Sequence, residues 1–158
     1  MERFFPAMTM LVLRLLPIAV MLLAGCAADV VSPGTAVRLT GAQEVPPLTT
    51  SATGAGRITV SLDRAVSGDV TTSGVAGTAA HIHEAAPGKN GPVVIPLSKT
   101  SDATWTVPAG AKLSESQYAS YRAGNLYVNV HSAAQPDGEI RGQIKPPVEA
   151  ESAKRSGY

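Results

Sequence analysis

The chain has 158 residues and a mass of 16.2 kDa, the length of one domain with attachments and too short for two independent cores. Hydrophobic residues make up 44% and charged residues 16%, which excludes a charge-driven disordered polymer, and a net charge of +1 gives no basic stripe for nucleic acid. Fifteen Gly and twelve Pro, few aromatics and abundant Val, Thr and Ser favour short strands joined by turns over long helices.

In chain order the first feature is a leader. Arg3 and Arg14 precede and open an apolar run through Leu15 to Leu23 that stops at Ala24 and Gly25, which predicts a signal peptide over residues 1–25. The run is too short and too interrupted by Pro17 for a membrane span. Leu23-Ala24-Gly25-Cys26 resembles the bacterial lipobox, which makes Cys26 the acylated, palmitate-bearing first residue of the mature chain and places it in the cell envelope. Ala27 in the next position follows the pattern of outer-membrane sorting in diderm bacteria, facing the periplasm or the exterior. Cleavage there leaves 133 residues with 11 basic and 11 acidic side chains and no second cysteine, so no intramolecular disulfide can form and any metal site lacks thiolate.

Residues 26–35 read as a tether and residues 147–158 as a polar tail, with the folded domain over 36–146. Strands are expected around Val37 and Leu39, at Arg57–Leu62, Asp69–Ser73, Ala79–Glu84, Val93–Leu97, Thr104–Val107, Asn125–His131 and Glu139–Ile144, with Gly, Pro, Asn and Asp between them. One helix is expected, opened by the capping-box pattern Ser114-Glu115-Ser116-Gln117 and stopped at Gly124. The sum is an all-β, antiparallel Greek-key sandwich or barrel with one short helix.

The three histidines carry the chemistry. In His81-Ile82-His83 a strand puts both imidazoles on one face and Ile82 on the other. In Asn125–His131 the residues Leu126, Val128 and Val130 share a face, leaving Tyr127, Asn129 and His131 together on the opposite one. If these strands are neighbours, His81, His83 and His131 form a nitrogen-only site for copper, with zinc as the alternative. Glu139, Arg141 and Gln143 share a face of the last strand, so Glu139 is a candidate to orient His131, and Arg141, with Asn129, to contact an anion at the open site; a cross-strand Glu139–Arg141 salt bridge is the competing reading.

Leu39-Thr40-Gly41-Ala42-Gln43-Glu44-Val45-Pro46-Pro47, Ala80–His83, Gly91–Val94, Tyr127–His131 and Gly138–Gln143 together resemble the CHRD domain, named for its occurrence in chordin and found in bacterial exported proteins. The resemblance implies an immunoglobulin-like or superoxide-dismutase-like β fold and brings no agreed reaction; in chordin the setting is extracellular binding of signalling proteins. His81-Ile82-His83 is also similar to the copper-ligand strand of copper,zinc superoxide dismutases, but the chain lacks their bridging histidine and disulfide. The expected function is therefore lipid-anchored binding of one copper ion for buffering, delivery or defence, with no catalytic residue assigned. The alternatives are a metal-independent module that binds an envelope protein and a superoxide-directed copper enzyme.

Overall fold

The computed structural model describes residues 1–2 and 34–147. The expected leader, the anchor Cys26, nearly all of the tether and residues 148–158 of the tail lie outside the described residues.

Nine strands form one antiparallel sheet: β1 (Thr35–Thr40), β2 (Thr53–Val60), β3 (Val66–Ser73), β4 (Gly77–Glu84), β5 (Val93–Pro96), β6 (Ser98–Lys99), β7 (Thr104–Thr106), β8 (Leu126–Ser132) and β9 (Ile140–Ile144). The order across the sheet is β5-β4-β8-β9-β1-β2-β3-β7-β6. Its two ends belong to one run of chain. β5 pairs with β4 and β6 pairs with β7, with only Leu97 between them, and the Leu97 amide donates to the Ala80 carbonyl at 2.9 Å. The sheet thereby curls into a nearly closed barrel, which shelters the backbone edges that an open sheet would expose. Strands β3 and β4 follow each other in sequence but are separated around the barrel by β7 and the β5–β6 run, as a Greek key requires.

Period-two alternation explains the interior. Val37 and Leu39, Ile58, Val70, Ile82, Val128 and Val130, and Ile140 and Ile144 are at most 1% exposed and belong to one core cluster. Each such side chain contributes roughly 1.5–3 kcal/mol by leaving water. The alternation at Arg57–Leu62 overshoots by a turn: Val60 ends β2 and Leu62 is 91% exposed. There the Asp63 carboxylate accepts from the Ser61 hydroxyl and the Ala65 amide, and Arg64 turns the chain with φ of 72°. Helix α1 (Glu115–Arg122) has the expected reciprocal capping box, with the Gln117 amide donating to Ser114 Oγ and the Ser114 amide to Gln117 Oε1. Gly124, at φ of 76°, follows its end, and Tyr121 packs into the core.

The outer face of β4, β8 and β9 carries the three histidines. Register aligns His83 with Tyr127 and Gln143, and His81 with Asn129 and Arg141, across three adjacent strands. This face turns away from the aliphatic core, as the alternation predicts, yet much of it is covered. The turn at Glu44–Pro47 and the β4–β5 connection lie over it, and the two meet where Asn90 Nδ2 donates to the Val45 carbonyl. Tyr127, Asn129 and Arg141 are 1%, 3% and 1% exposed as a result.

Candidate metal centre

The pleat of β4 aims His81 and His83 at the same side, with Ile82 in the core, and β8 brings His131 up beside them. One nitrogen from each of the three rings lies within 4.8 Å of the others. The closest pair is His81 Nδ1 and His131 Nε2, at 3.1 Å. Two nitrogens bound at about 2.0 Å to one ion stand about 3 Å apart, so this separation suits a shared ion. His83 is buried, whereas His81 and His131 are half-buried, which leaves the cluster open on their side.

Two of the three rings are oriented by backbone carbonyls. His83 Nδ1 lies 3.0 Å from the Gly91 carbonyl and His131 Nδ1 lies 2.9 Å from the Pro136 carbonyl. A carbonyl only accepts, so both rings carry their proton on Nδ1 and present the Nε2 lone pair. His83 Nε2 is buried with no partner, as a nitrogen waiting for a ligand would be. His131 Nε2, as the acceptor, receives the hydrogen of His81 Nδ1, so an ion bound by this pair takes the place of a shared proton. Nitrogen-15 spectra of the imidazoles in the metal-free chain above pH 7 will show His83 and His131 as Nδ1–H tautomers. Finding either ring as the Nε2–H form would remove this arrangement.

Burial is the main cause that pushes the His81 pKa below its ordinary value of 6.5, and the charges of His131 and His83 add to it. Burial also pushes His83 down, against the Gly91 hydrogen bond that raises it, with His131 and Arg141 lowering it further. Both imidazoles are therefore neutral at neutral pH, the state a metal ligand requires.

The other residues singled out from the sequence fall into different places. Tyr127 stands on β8 between His83 on β4 and Arg141 on β9: its ring stacks on His83 at 5.0 Å and 12°, and the Arg141 guanidinium lies 3.5 Å from its centroid. Arg141 donates to Asn90 Oδ1 and Gln143 Oε1, and has no hydrogen bond to a histidine. Asn129 turns its amide to Glu44, donating from Nδ2 to Oε2 at 3.4 Å. Glu139 does not orient His131, nor does it pair with Arg141. It precedes β9, and its carboxylate accepts from the hydroxyls of Ser132 and Thr50, while the carbonyl of Pro136 takes the histidine proton.

Three contributors escape the sequence reading: the two carbonyls, which any residue type could supply, and Glu44. Glu44 is 6% exposed, and burial raises its pKa to about 7 against the lowering pull of Arg141 and Asn129. Its place in the Leu39–Pro47 block was visible in the sequence, but nothing local marked it as buried.

Fold and site together define an all-β barrel domain with a nitrogen-only cluster on its outer face that could hold a metal ion. The family model described as CHRD domain matches residues 35–144, and the chain belongs to that family. A comparison with curated proteins finds no match, and neither does one with solved structures.

Proposed function

We propose that this chain binds one copper ion through His81, His83 and His131 while tethered to the bacterial cell envelope by a lipid on Cys26, and serves copper buffering, delivery or defence. The observation that carries the reading is the convergence of three imidazoles within 4.8 Å, two of them held in the ligating tautomer. Imidazole suits both copper and zinc, and for the same nitrogen donors the divalent series places copper above zinc. The absence of any thiolate in the mature sequence agrees with an exported site.

Competition titration of the full chain in detergent with Cu(I), Cu(II) and Zn(II) tests the reading. One ion per chain, copper bound more tightly than zinc, and loss of that binding in a variant carrying His81→Ala, His83→Ala and His131→Ala are expected. Unaltered copper affinity in that variant overturns it. Expression with labelled palmitate tests the anchor, since Cys26→Ala must abolish incorporation.

A further inference from the structure

Two motifs in the sequence, Leu39–Pro47 and Gly138–Gln143, supply no ligand to the histidine cluster. Both lead to a cleft of about 340 Å³ bounded by the Glu44–Pro47 turn, by Pro87 and Gly88 of the β4–β5 connection, and by β9. That volume is within the range of small-molecule sites, roughly 300–1,000 Å³. Glu44 and Arg141 both line it, and they are 6% and 1% exposed.

These two groups attract each other but do not pair. Lys112–Asp63 is the one ion pair among the described residues, so no Arg141 nitrogen lies within 4.0 Å of a Glu44 oxygen. Glu44 Oε1 is buried with no hydrogen-bond partner at all. Glu44 therefore keeps one buried oxygen unmet at this cleft, while Arg141, bonded to Asn90 and Gln143, brings a positive charge and further N–H groups to the same cleft; a molecule bridging the two would relieve the cost at Glu44. The bridge must bring a hydrogen donor to Glu44 and an acceptor to Arg141. Above about pH 7, where Glu44 is ionised, a simple anion would meet the carboxylate, and a simple cation the guanidinium. A ligand with both charges and no net charge matches the pair, and the apolar walls at Ala42, Val45, Pro47 and Pro87 suit a short aliphatic body.

We propose that this cleft is a second ligand site, separate from the histidine cluster, that takes a small α-amino-acid zwitterion with its ammonium against Glu44 and its carboxylate against Arg141. The site selects by charge separation: either half of the ligand alone meets only one of the two charged groups.

Nitrogen-15-labelled full chain in detergent at about pH 8, where Glu44 is ionised, titrated with L-alanine and separately with acetate and methylammonium, tests the proposal. L-Alanine will give saturable shifts at Gln43, Gly88 and the Arg141 side chain, and each half-ligand will bind at least about tenfold more weakly, a difference of about 1.4 kcal/mol. Ala42→Trp, at an exposed position on the rim, fills the mouth and abolishes these shifts without altering copper affinity. Glu44→Gln weakens alanine binding at least about tenfold. An absence of saturable shifts, equal binding of acetate or methylammonium, or alanine binding that survives Ala42→Trp overturns the proposal and leaves the cleft to water.

Discussion

Replacing either His83 or His131 by alanine will lower the affinity of the proposed copper site by more than about a hundredfold, above the 10–100-fold range usual for outer partners of metal ligands. Each of these rings is held in place before the ion arrives, by Gly91 and Pro136, so its loss removes a donor that costs little ordering to use. The double variant will lose little beyond the worse single variant, because one remaining imidazole no longer makes a site. Gly91→Ala will cost about 10–100-fold although it removes no ligand. A Cβ at Gly91 would stand 1.8 Å from the Glu84 carbonyl oxygen, so the connection must shift and take with it the carbonyl that orients His83. Competition titration against a copper chelator measures all four variants, with Lys112→Ala, which removes the exposed ion pair with Asp63, as a control that changes nothing. Wild-type affinity in His83→Ala and His131→Ala alike would show that the rings converge without forming a site.

The parts of this architecture that were legible in the sequence are those written in local pattern. A period of two places Ile82 inward and His81 and His83 outward, and it does the same for Val128 and Val130 against Tyr127, Asn129 and His131, because side-chain direction in a strand depends only on parity. The capping box of α1 is similarly local, four residues closing two backbone bonds. What parity cannot supply is the identity of whatever lies on top of a face. Asn90 reaches Val45 over 45 residues and Asn129 reaches Glu44 over 85, and these contacts turn an outer sheet face into a buried polar layer. Parity also placed Glu139 with Arg141, but Glu139 lies just before β9, where the ladder no longer dictates direction and the hydroxyls of Ser132 and Thr50 claim the carboxylate. The two-residue β6, which closes the barrel, is too short to show any period.

Glu44→Gln will reverse part of the pH dependence of stability. In the unfolded chain Glu44 ionises near its ordinary 4.5, and in the barrel burial holds the proton on until about pH 7. Between those values the folded chain binds the extra proton, so stability is greatest at the acid end of the window and declines as the pH rises through it. A displacement of this size corresponds to about 3 kcal/mol, fully lost above pH 7. The group is 6% exposed and has an unpartnered oxygen, so solvent does little to screen the effect. His81 and His83 work in the opposite sense: their depressed values make stability fall as the pH drops below 6.5, when the unfolded chain takes up protons the barrel refuses. That contribution is common to wild type and variant and cancels in their difference. Urea unfolding of both chains from pH 4.5 to 8, with chelator present, will therefore show wild type losing about 3 kcal/mol relative to Glu44→Gln across the range. Parallel curves would mean that Glu44 titrates in the barrel as it does in water, and that the carboxylate is not sealed beneath Asn129 and Arg141.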